Sequence, residues 1–155
     1  MEIALLAVGK LRPSLREACD DYLRRLSRYV RVREVEVREA PRAPTLASQR
    51  QQEAARLRER VPEGAAVVAL ARAGRPLTSE ALAGQMERWQ LAARPLALLL
   101  GGSYGLAAEL LADAEMRWSL GPLTLPHELA RLVVLEQLYR AFTILRGEPY
   151  HKGAR

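Results

Sequence analysis

The glycine-rich segment GGSYG at 101–105 is the first candidate for ligand chemistry in this sequence of 155 residues. It follows an apolar run of strand length and precedes a helical pattern, which is the context of a dinucleotide-binding turn. However, its G-G-x-x-G spacing and late position differ from that fingerprint, and Gly121-Pro122 stands where an acidic ribose ligand would be expected. An ordinary doubly wound nucleotide-binding enzyme is therefore disfavoured. Two interpretations stay open: a tight turn without a ligand, or a loop that lets a ligand lie against the backbone.

The segment LGPLTLPHE at 120–128 is unusually apolar for a loop. Leucines occupy positions 120, 123 and 125, and Pro122 and Pro126 stiffen the path of the chain. Most loops are polar because they run over the surface. A rigid apolar loop is suited to covering either the core or the flat face of a ligand such as adenine, whose ring edges backbone groups would then read. The residues alone do not separate these two interpretations.

The final predicted helix, from about His127 to Arg146, is apolar on nearly every side. Because such a helix must be buried on two sides, we expect a second subunit to cover it, and the sequence predicts a homodimer. We expect the interface contacts to be drawn from Leu132, Leu135, Tyr139 and Phe142.

The polar residues of this helix and of the tail behind it also have simple interpretations. Glu136 and Arg140 have the spacing of a helical ion pair. His127 is either a neighbour of the helix cap or an imidazole kept neutral by the positive helix end. The tail EPYHKGAR at 148–155 is either a frayed terminus or a site that combines an aromatic ring, an imidazole and cations.

The elements that must position these residues alternate between strands and helices. This pattern predicts a single α/β domain over 1–155, with a largely parallel sheet that binds ligands at the carboxyl ends of its strands. The loops of interest then follow Leu70, Leu100 and Leu120. The predicted strands are 2–8, an edge strand carrying Val30, Val32, Val35 and Val37, then 65–70, 95–100 and about 116–120. Five helices are predicted. The first starts with a Ser14–Glu17 capping box and ends near Tyr29, the second ends at Arg60, and the third runs from Thr78 to Gln90. A fourth of about ten residues follows GGSYG, the fifth is the final helix, and ARAGRP at 71–76 is a predicted loop.

Composition limits the class of protein. The 24 basic and 18 acidic residues give a net charge of +6, which favours a polyanionic partner. The 22 arginines are weak evidence for RNA, because Arg-rich, Asn-free sequences also arise from GC-rich genomes and heat adaptation. Cys19 is the only cysteine and the sequence holds two histidines, so we expect neither a disulfide nor a metal site. Without a long apolar run or a basic leader segment, the sequence predicts a soluble, cytoplasmic protein.

Four segments carry a resemblance to a known family. AVGK near the start, LLLGGSYGL, LTLPHELARLVVLEQLYRAF and the terminal RGEPYHK resemble the ribosomal large subunit methyltransferase H family, of the SPOUT class. The resemblance runs from residue 1 to about 152, and the segment 40–64 matches only in general character. It implies a single α/β domain with a deep C-terminal trefoil knot and a homodimer. It also implies methylation by S-adenosylmethionine of N3 of a pseudouridine in the decoding-region hairpin of 23S rRNA, on the assembled ribosome.

The resemblance also implies two groups of site residues. The cofactor-binding group comprises Leu70, Gly101, Leu120, Gly121, Pro122, Leu123, Thr124 and Leu125. The catalytic group comprises His127, Arg131, Arg140, Tyr150 and His151. The Gly-Ala-Arg ending makes this chain longer than the family pattern.

The chemistry suggests roles for the catalytic group. The N3 proton must leave, which needs a base, with His151 as the first candidate, or a cation that stabilises the anion, with Arg131 or Arg140 as candidates. Tyr150 would stack on an unpaired base. Alternatively, all of them contact phosphates and bases while solvent takes the proton. The rival function is a non-catalytic RNA- or ribosome-binding α/β protein, which explains the charge and the tail but not the apolar loop beside a glycine turn.

Overall fold

A five-stranded parallel sheet forms the centre of the computed structural model, which describes residues 1–152. The strand order is β2-β1-β4-β3-β5, and every neighbouring pair is parallel. The strands are β1 Glu2–Val8, β2 Arg31–Val37, β3 Ala66–Pro76, β4 Leu96–Leu100 and β5 Met116–Ser119. The helices are α1 Pro13–Leu26, α2 Leu46–Arg58, α3 Ser79–Leu91, α4 Ala108–Asp113 and α5 His127–Leu145. The predicted single-domain α/β fold with a parallel sheet is confirmed in its class and layout.

Both faces of the sheet are buried, which is why β1 and β4 are apolar at every position but one. Ile3, Leu5 and Ala7 of β1 point into a core that also contains residues of α1, α3 and α5. Ala4 and Leu6 point into a second core with α2 and α4. Successive residues of a strand face opposite sides, so a strand covered on both faces reads as a continuous apolar run. The half-exposed β2 lies at one edge, as its alternation predicts.

Three local predictions are wrong. The Ser14–Glu17 capping box does not form, because α1 begins one residue earlier at Pro13, a residue suited to a first helical turn. The Arg12 backbone N–H instead donates to the Glu128 carboxylate (2.5 Å). The helix also ends at Leu26, before the predicted Tyr29, whose ring turns inward and stacks on Phe142. Finally, α4 has six residues instead of about ten.

The segment 71–76 is only partly the predicted loop. Leu70 and Arg75 both pair with Trp118, so residues 71–74 leave the ladder and the strand resumes at Arg75-Pro76. Pairing of β3 with β4 has ended by then, so Pro76 has a strand partner on one side only, where proline is tolerated. Gly74 is needed at this excursion, because a Cβ there would lie 2.7 Å from the Arg117 carbonyl oxygen.

The covering of α5 differs from the prediction. Helix α5 lies on one face of the sheet and packs against both α1 and α3 of the same chain. Leu135 and Phe142 are 0% and 1% exposed in this core, so they are not available for contacts with another subunit. Leu132 and Tyr139 are half-buried and stay candidates for such contacts. The apolar character of α5 thus has an explanation within one chain, and the homodimer stays a prediction.

Arg131 joins α5 to the first two strands. Its side chain is 1% exposed, and it donates to the Gly9 carbonyl oxygen (2.8 Å) and to the carboxylates of Glu36 (2.5 Å) and Glu34 (3.3 Å). Arg16 of α1 bonds the same Glu34 (2.5 Å) from the more exposed side. A buried charge is costly unless it is paired and hydrogen-bonded, so this cluster fixes the position of α5 relative to β1 and β2.

Replacing Arg131 with methionine should lower the free energy of unfolding by about 3 kcal/mol, because two carboxylates would keep their charges without the buried partner. Arg16→Met is the matched control, since Arg16 is 29% exposed and its loss should cost no more than about 1 kcal/mol. Urea unfolding at fixed protein concentration, followed by fluorescence of the buried Trp118, measures both. Equal losses for the two variants would contradict the assigned role of Arg131.

Candidate active site

A cleft of about 890 Å³ opens at the carboxyl ends of β3, β4 and β5. This volume lies within the range of small-molecule sites. Six of the eight predicted cofactor-binding residues line the cleft, namely Leu70, Leu120, Gly121, Leu123, Thr124 and Leu125. The structure therefore brings together the three strand ends that the sequence singles out.

Leu123 decides between the two interpretations of the apolar loop. Its side chain is 77% exposed at the cleft, so the loop does not use it to cover the core. Leu120 and Leu125 are half-buried, and Leu120 packs against the core. An exposed leucine on a rigid loop beside a cleft favours a ligand as the missing cover. Pro122, also exposed, belongs to the same loop but does not line the cleft.

Hydrogen bonds hold this loop against β3. The Ser119 hydroxyl donates to the Arg72 carbonyl oxygen (3.0 Å) and accepts from the Gly121 N–H (3.1 Å). The Arg72 guanidinium donates to the Thr124 hydroxyl (2.8 Å). Gly121 has a φ of +118°, a conformation that favours glycine. The loop is therefore preorganised, and its shape depends on Ser119 and Arg72, which sequence reasoning missed because neither belongs to a recognisable motif.

Gly101, a predicted cofactor-binding residue, follows β4 directly. It does not line the cleft, and a Cβ at this position would lie 2.5 Å from the Gly105 carbonyl carbon. The absent side chain lets the backbone of GGSYG double back, with Gly102 and Gly105 forming an isolated bridge. Gly102, Ser103 and Tyr104 then line the cleft. Gly101 thus shapes the wall of the cleft without touching its space.

Helix α2 supports the same turn, although its sequence predicts nothing of the kind. The Arg50 guanidinium lines the cleft and donates to the Tyr104 carbonyl oxygen (2.8 Å). The buried Glu53 carboxylate lies beside Gly102 and accepts from the Ala40 N–H (3.0 Å). Helical periodicity does offer a signal, because Glu53 falls on the same face of α2 as Ala54 and Leu57, the other buried residues of this helix.

The tail up to Lys152 is folded against its own chain instead of frayed. The Tyr150 hydroxyl donates to the Glu136 carboxylate (3.0 Å), and the Arg140 guanidinium lies 4.8 Å from the centre of the Tyr150 ring. His151 contacts the Arg140 guanidinium through Nδ1 (3.2 Å) and the Glu80 carboxylate through Nε2 (2.9 Å). We call these residues, Glu136, Arg140, Tyr150 and His151, the tail cluster. The extra ending, Gly153 to Arg155, lies outside the described residues.

The tail cluster holds its proton donors in the protonated form. Burial, followed by hydrogen bonds to Tyr22 and Glu136, raises the pKa of Tyr150 well above its usual value. The hydrogen bond to Glu136 raises the pKa of Arg140, so the guanidinium stays charged. Because Arg140 has only protons to donate, His151 accepts at Nδ1 and carries its proton on Nε2, facing Glu80. The cluster therefore presents a fixed cation beside an imidazole of defined tautomer.

The predicted catalytic residues fall into separate places. His127 lines the cleft at the start of α5, whereas Arg140 follows thirteen residues later, about 20 Å along the helix. Arg131 belongs to neither group, since it is buried in the cluster with Glu34 and Glu36. In this structure its guanidinium is unexposed and bonded to Gly9, Glu34 and Glu36, so its predicted role beside the reacting base stays a prediction that this placement does not support.

No group of three or more His, Cys, Asp or Glu side chains within residues 1–152 is arranged to hold a metal ion. No helix in the same range is long and apolar enough to cross a membrane. Cys19 is completely buried, and burial raises the pKa of its thiol to about 11, so it is an unreactive core residue.

The chain is similar to known proteins over nearly its whole length. The family described as "Predicted SPOUT methyltransferase" matches residues 1–151. A ribosomal RNA large subunit methyltransferase H from Syntrophotalea carbinolica is 47% identical over 154 residues, covering 97% of this chain and 99% of its own. One from Anaeromyxobacter dehalogenans is 48% identical over 153 residues, covering 98% of this chain and 100% of its own.

Solved structures show the same fold at low sequence identity. A probable methylase family protein from Haemophilus influenzae matches with a TM-score of 0.54 and 14% identity, over 94% of this chain and 66% of its own. A probable methyltransferase from Bordetella pertussis matches with a TM-score of 0.53 and 16% identity, over 90% of this chain and 95% of its own. The chain belongs to the SPOUT methyltransferase family and, within it, to the family of ribosomal RNA large subunit methyltransferase H.

Proposed function

We propose that this protein transfers a methyl group from S-adenosylmethionine to N3 of a pseudouridine in large-subunit ribosomal RNA, on the assembled ribosome in the cytoplasm. The observation that carries the proposal is the cleft at the ends of β3, β4 and β5, with an exposed leucine on a rigid loop. The relatives named as ribosomal RNA large subunit methyltransferases support the RNA class of the substrate. The target atom rests on the family resemblance.

The cleft fits the proposed cofactor by the chemistry of its walls. Leu120, Leu123 and Leu125 offer apolar contacts for an adenine ring, and Gly121 leaves backbone groups of the loop accessible. Arg50 supplies a cation near the opposite wall, suited to the carboxylate of the amino acid portion. S-adenosylmethionine, when bound, supplies a methyl group on a positively charged sulfur.

The residues of the chain then have to orient the target base and allow the proton on N3 to leave. The methyl group would come to N3 from bound S-adenosylmethionine, whose sulfur would keep the electron pair of the bond that is lost. The N3 proton leaves to solvent, or to Nδ1 of His151 once this nitrogen is released from its contact with Arg140. Arg140 stays cationic and stabilises the negative charge that develops on the base. The protonated Tyr150 is suited to stacking and hydrogen bonding, and not to acting as a base. Most of the acceleration then comes from positioning.

We infer that the working site is shared between two subunits. The tail cluster lies about 20 Å from the His127 end of α5, so a single chain cannot place both around one base. A homodimer in which the tail of one subunit covers the cleft of its partner brings them together. Half-buried tyrosines offer a surface for the dimer: Tyr139 of α5 lies 5.9 Å from Tyr22 of α1 and 6.1 Å from Tyr29, just after α1, between ring centres.

We further infer that the chain has the trefoil knot of its family. The excursion at 71–74 and the close approach of Gly74 to Arg117 lie where β5 passes beside β3. These contacts are compatible with a knotted path, which the family resemblance implies and which base rates alone would not suggest.

Cofactor binding should depend on Gly101. The wild-type protein should bind S-adenosylmethionine in calorimetry, and Gly101→Val should weaken binding at least tenfold, about 1.4 kcal/mol. The reason is that a side chain meets the Gly105 backbone and displaces the turn that lines the cleft. Gly84→Ala in α3 is the control, because a Cβ there would meet only the end of the Arg88 side chain, at an ordinary contact distance of 3.9 Å, and it should leave affinity unchanged. No binding by the wild type would refute the cofactor, and full affinity in Gly101→Val would refute the role of the turn.

Methyl transfer should depend on the tail. Removing residues 149–155 should leave cofactor affinity intact but abolish methyl transfer to ribosomes. The ribosomes come from a strain that lacks this enzyme, and mass spectrometry of the rRNA measures the transfer. Removing only 153–155 should preserve transfer, since it restores the length of the family pattern. His151→Ala should lose as much activity as the longer deletion if the imidazole is the base, and less if Tyr150 does the positioning. Full activity after deletion of 149–155 would refute the role of the tail, and wild type that never methylates rRNA would favour the non-catalytic rival.

The shared site predicts both a dimer and complementation. Sedimentation at micromolar concentration should give twice the 17.3 kDa chain mass. Subunits truncated at 148, co-expressed with Gly101→Val subunits, should regain about a quarter of wild-type activity, because half the dimers are mixed and each holds one complete site. A folded monomer would contradict the dimer. A dimer without complementation would contradict a site shared between the two subunits.

A further inference from the structure

A second groove lies on the same edge of the sheet as the cleft. It has a volume of about 870 Å³ and opens at the ends of β1 and β2, between the loop that follows β2 and helix α2. Its lining includes four cationic side chains, those of Lys10, Arg38, Arg42 and Arg56. The segment 40–64, which supplies much of this lining, is also the part of the sequence that resembles the family only in general character.

The cations of the groove are placed to face a partner. Arg56 donates to the carbonyl oxygens of Arg38 (2.6 Å) and Glu39 (2.9 Å), which fixes its guanidinium in the wall. Lys10, Arg38 and Arg42 are exposed, and within residues 1–152 none of them forms an ion pair. By contrast, many other arginines of the chain bind carboxylates.

Two carboxylates also line the groove, and one of them is already neutralised. Glu36 binds the guanidiniums of Arg131 (2.5 Å) and Arg16 (3.6 Å). Glu39 lies against Gly9 and is the one acidic side chain of the lining without an ion pair among residues 1–152. Four cations against this single carboxylate leave the groove strongly positive.

We propose that this groove binds the phosphate backbone of the RNA substrate next to the target nucleotide. The inference rests on the proposed function. Phosphates are the expected ligands of exposed, unpaired cations, and such contacts position a nucleic acid without reading its sequence. A protein partner is disfavoured because the lining contains no aromatic anchor, the residue type that dominates protein interfaces.

The groove and the cleft are held as one surface. They lie at the ends of β2-β1 and of β4-β3-β5, so two to three strand spacings, about 10–15 Å, separate their centres. Glu53 connects them, because its carboxylate accepts from the Ala40 N–H of the groove and lies beside Gly102 of the cleft. Pro41 and Pro44 stiffen the loop between β2 and α2. RNA bound in the groove would therefore meet the cleft at a fixed offset.

The test compares two variants that remove the same charge from opposite ends of the sheet. Arg38→Gln/Arg42→Gln removes two cations of the groove. Arg31→Gln/Arg60→Gln removes two exposed arginines near the amino ends of β2 and β3. The groove variant should raise KM for unmethylated ribosomes about tenfold, with kcat and S-adenosylmethionine affinity unchanged, and the control should behave as wild type. Arg38→Lys/Arg42→Lys should retain most of the wild-type KM.

Salt dependence identifies the ligand. In filter binding to ribosomes without cofactor, the slope of log affinity against log salt should fall by about 1.5 in the groove variant, as expected for two lost phosphate contacts. Equal weakening by both variants would show a general effect of charge and overturn the proposal. Weaker binding with an unchanged salt slope would indicate a ribosomal protein and also overturn it. Because this assay needs no methyl transfer, it tests the groove even if the proposed reaction fails.

Discussion

The buried guanidinium of Arg131 is the interaction on which the placement of the site depends. It holds α5 against the carboxyl ends of β1 and β2 through Gly9, Glu34 and Glu36. A charge in this position is tolerated because acidic side chains of the edge strand β2 turn toward the helix, and Glu34 is only 9% exposed. With Arg131 fixed, the start of α5 four residues earlier is fixed as well, and so is the end of the loop that forms the cleft. Glu128 strengthens the same arrangement by accepting from the Arg12 N–H.

The length of α5 separates two kinds of chemistry. Its first residue, His127, lies at the cleft, and its last turns carry the partners of the tail cluster. A straight helix keeps such groups apart by its rise per residue, whatever their side chains prefer. One chain therefore places the cleft and the tail cluster at opposite ends of α5. In the proposed homodimer, a second subunit would bring them together without any change in the fold.

The carboxyl edge of the sheet carries two chemically different surfaces on neighbouring strands. The ends of β3, β4 and β5 carry apolar loops and glycine turns suited to a flat ligand. The ends of β1 and β2 carry exposed cations suited to phosphates. Glu53 links the two surfaces from inside. Its buried carboxylate accepts a hydrogen bond from the Ala40 N–H, which explains why the otherwise polar helix α2 turns one carboxylate inward. A parallel sheet favours this division because all of its strands end at the same edge.

The sequence by itself determined the fold class, the strand positions and the loops of the cleft. Runs such as 96–100 are buried on both faces, and periodicity and turn residues report such burial directly. Family motifs identified the cleft residues and the tail, since these segments are continuous in the chain. Only the tertiary structure decided the burial of Arg131, the close approach of Gly101 to Gly105 and the covering of α5. It alone placed Arg50 and Arg72 in the wall of the cleft, brought Glu53 and Ser119 against its loops, and gathered the cations of the groove. These features depend on contacts between residues far apart in the chain, where no local pattern of sequence records which charge, backbone or helix will be the neighbour.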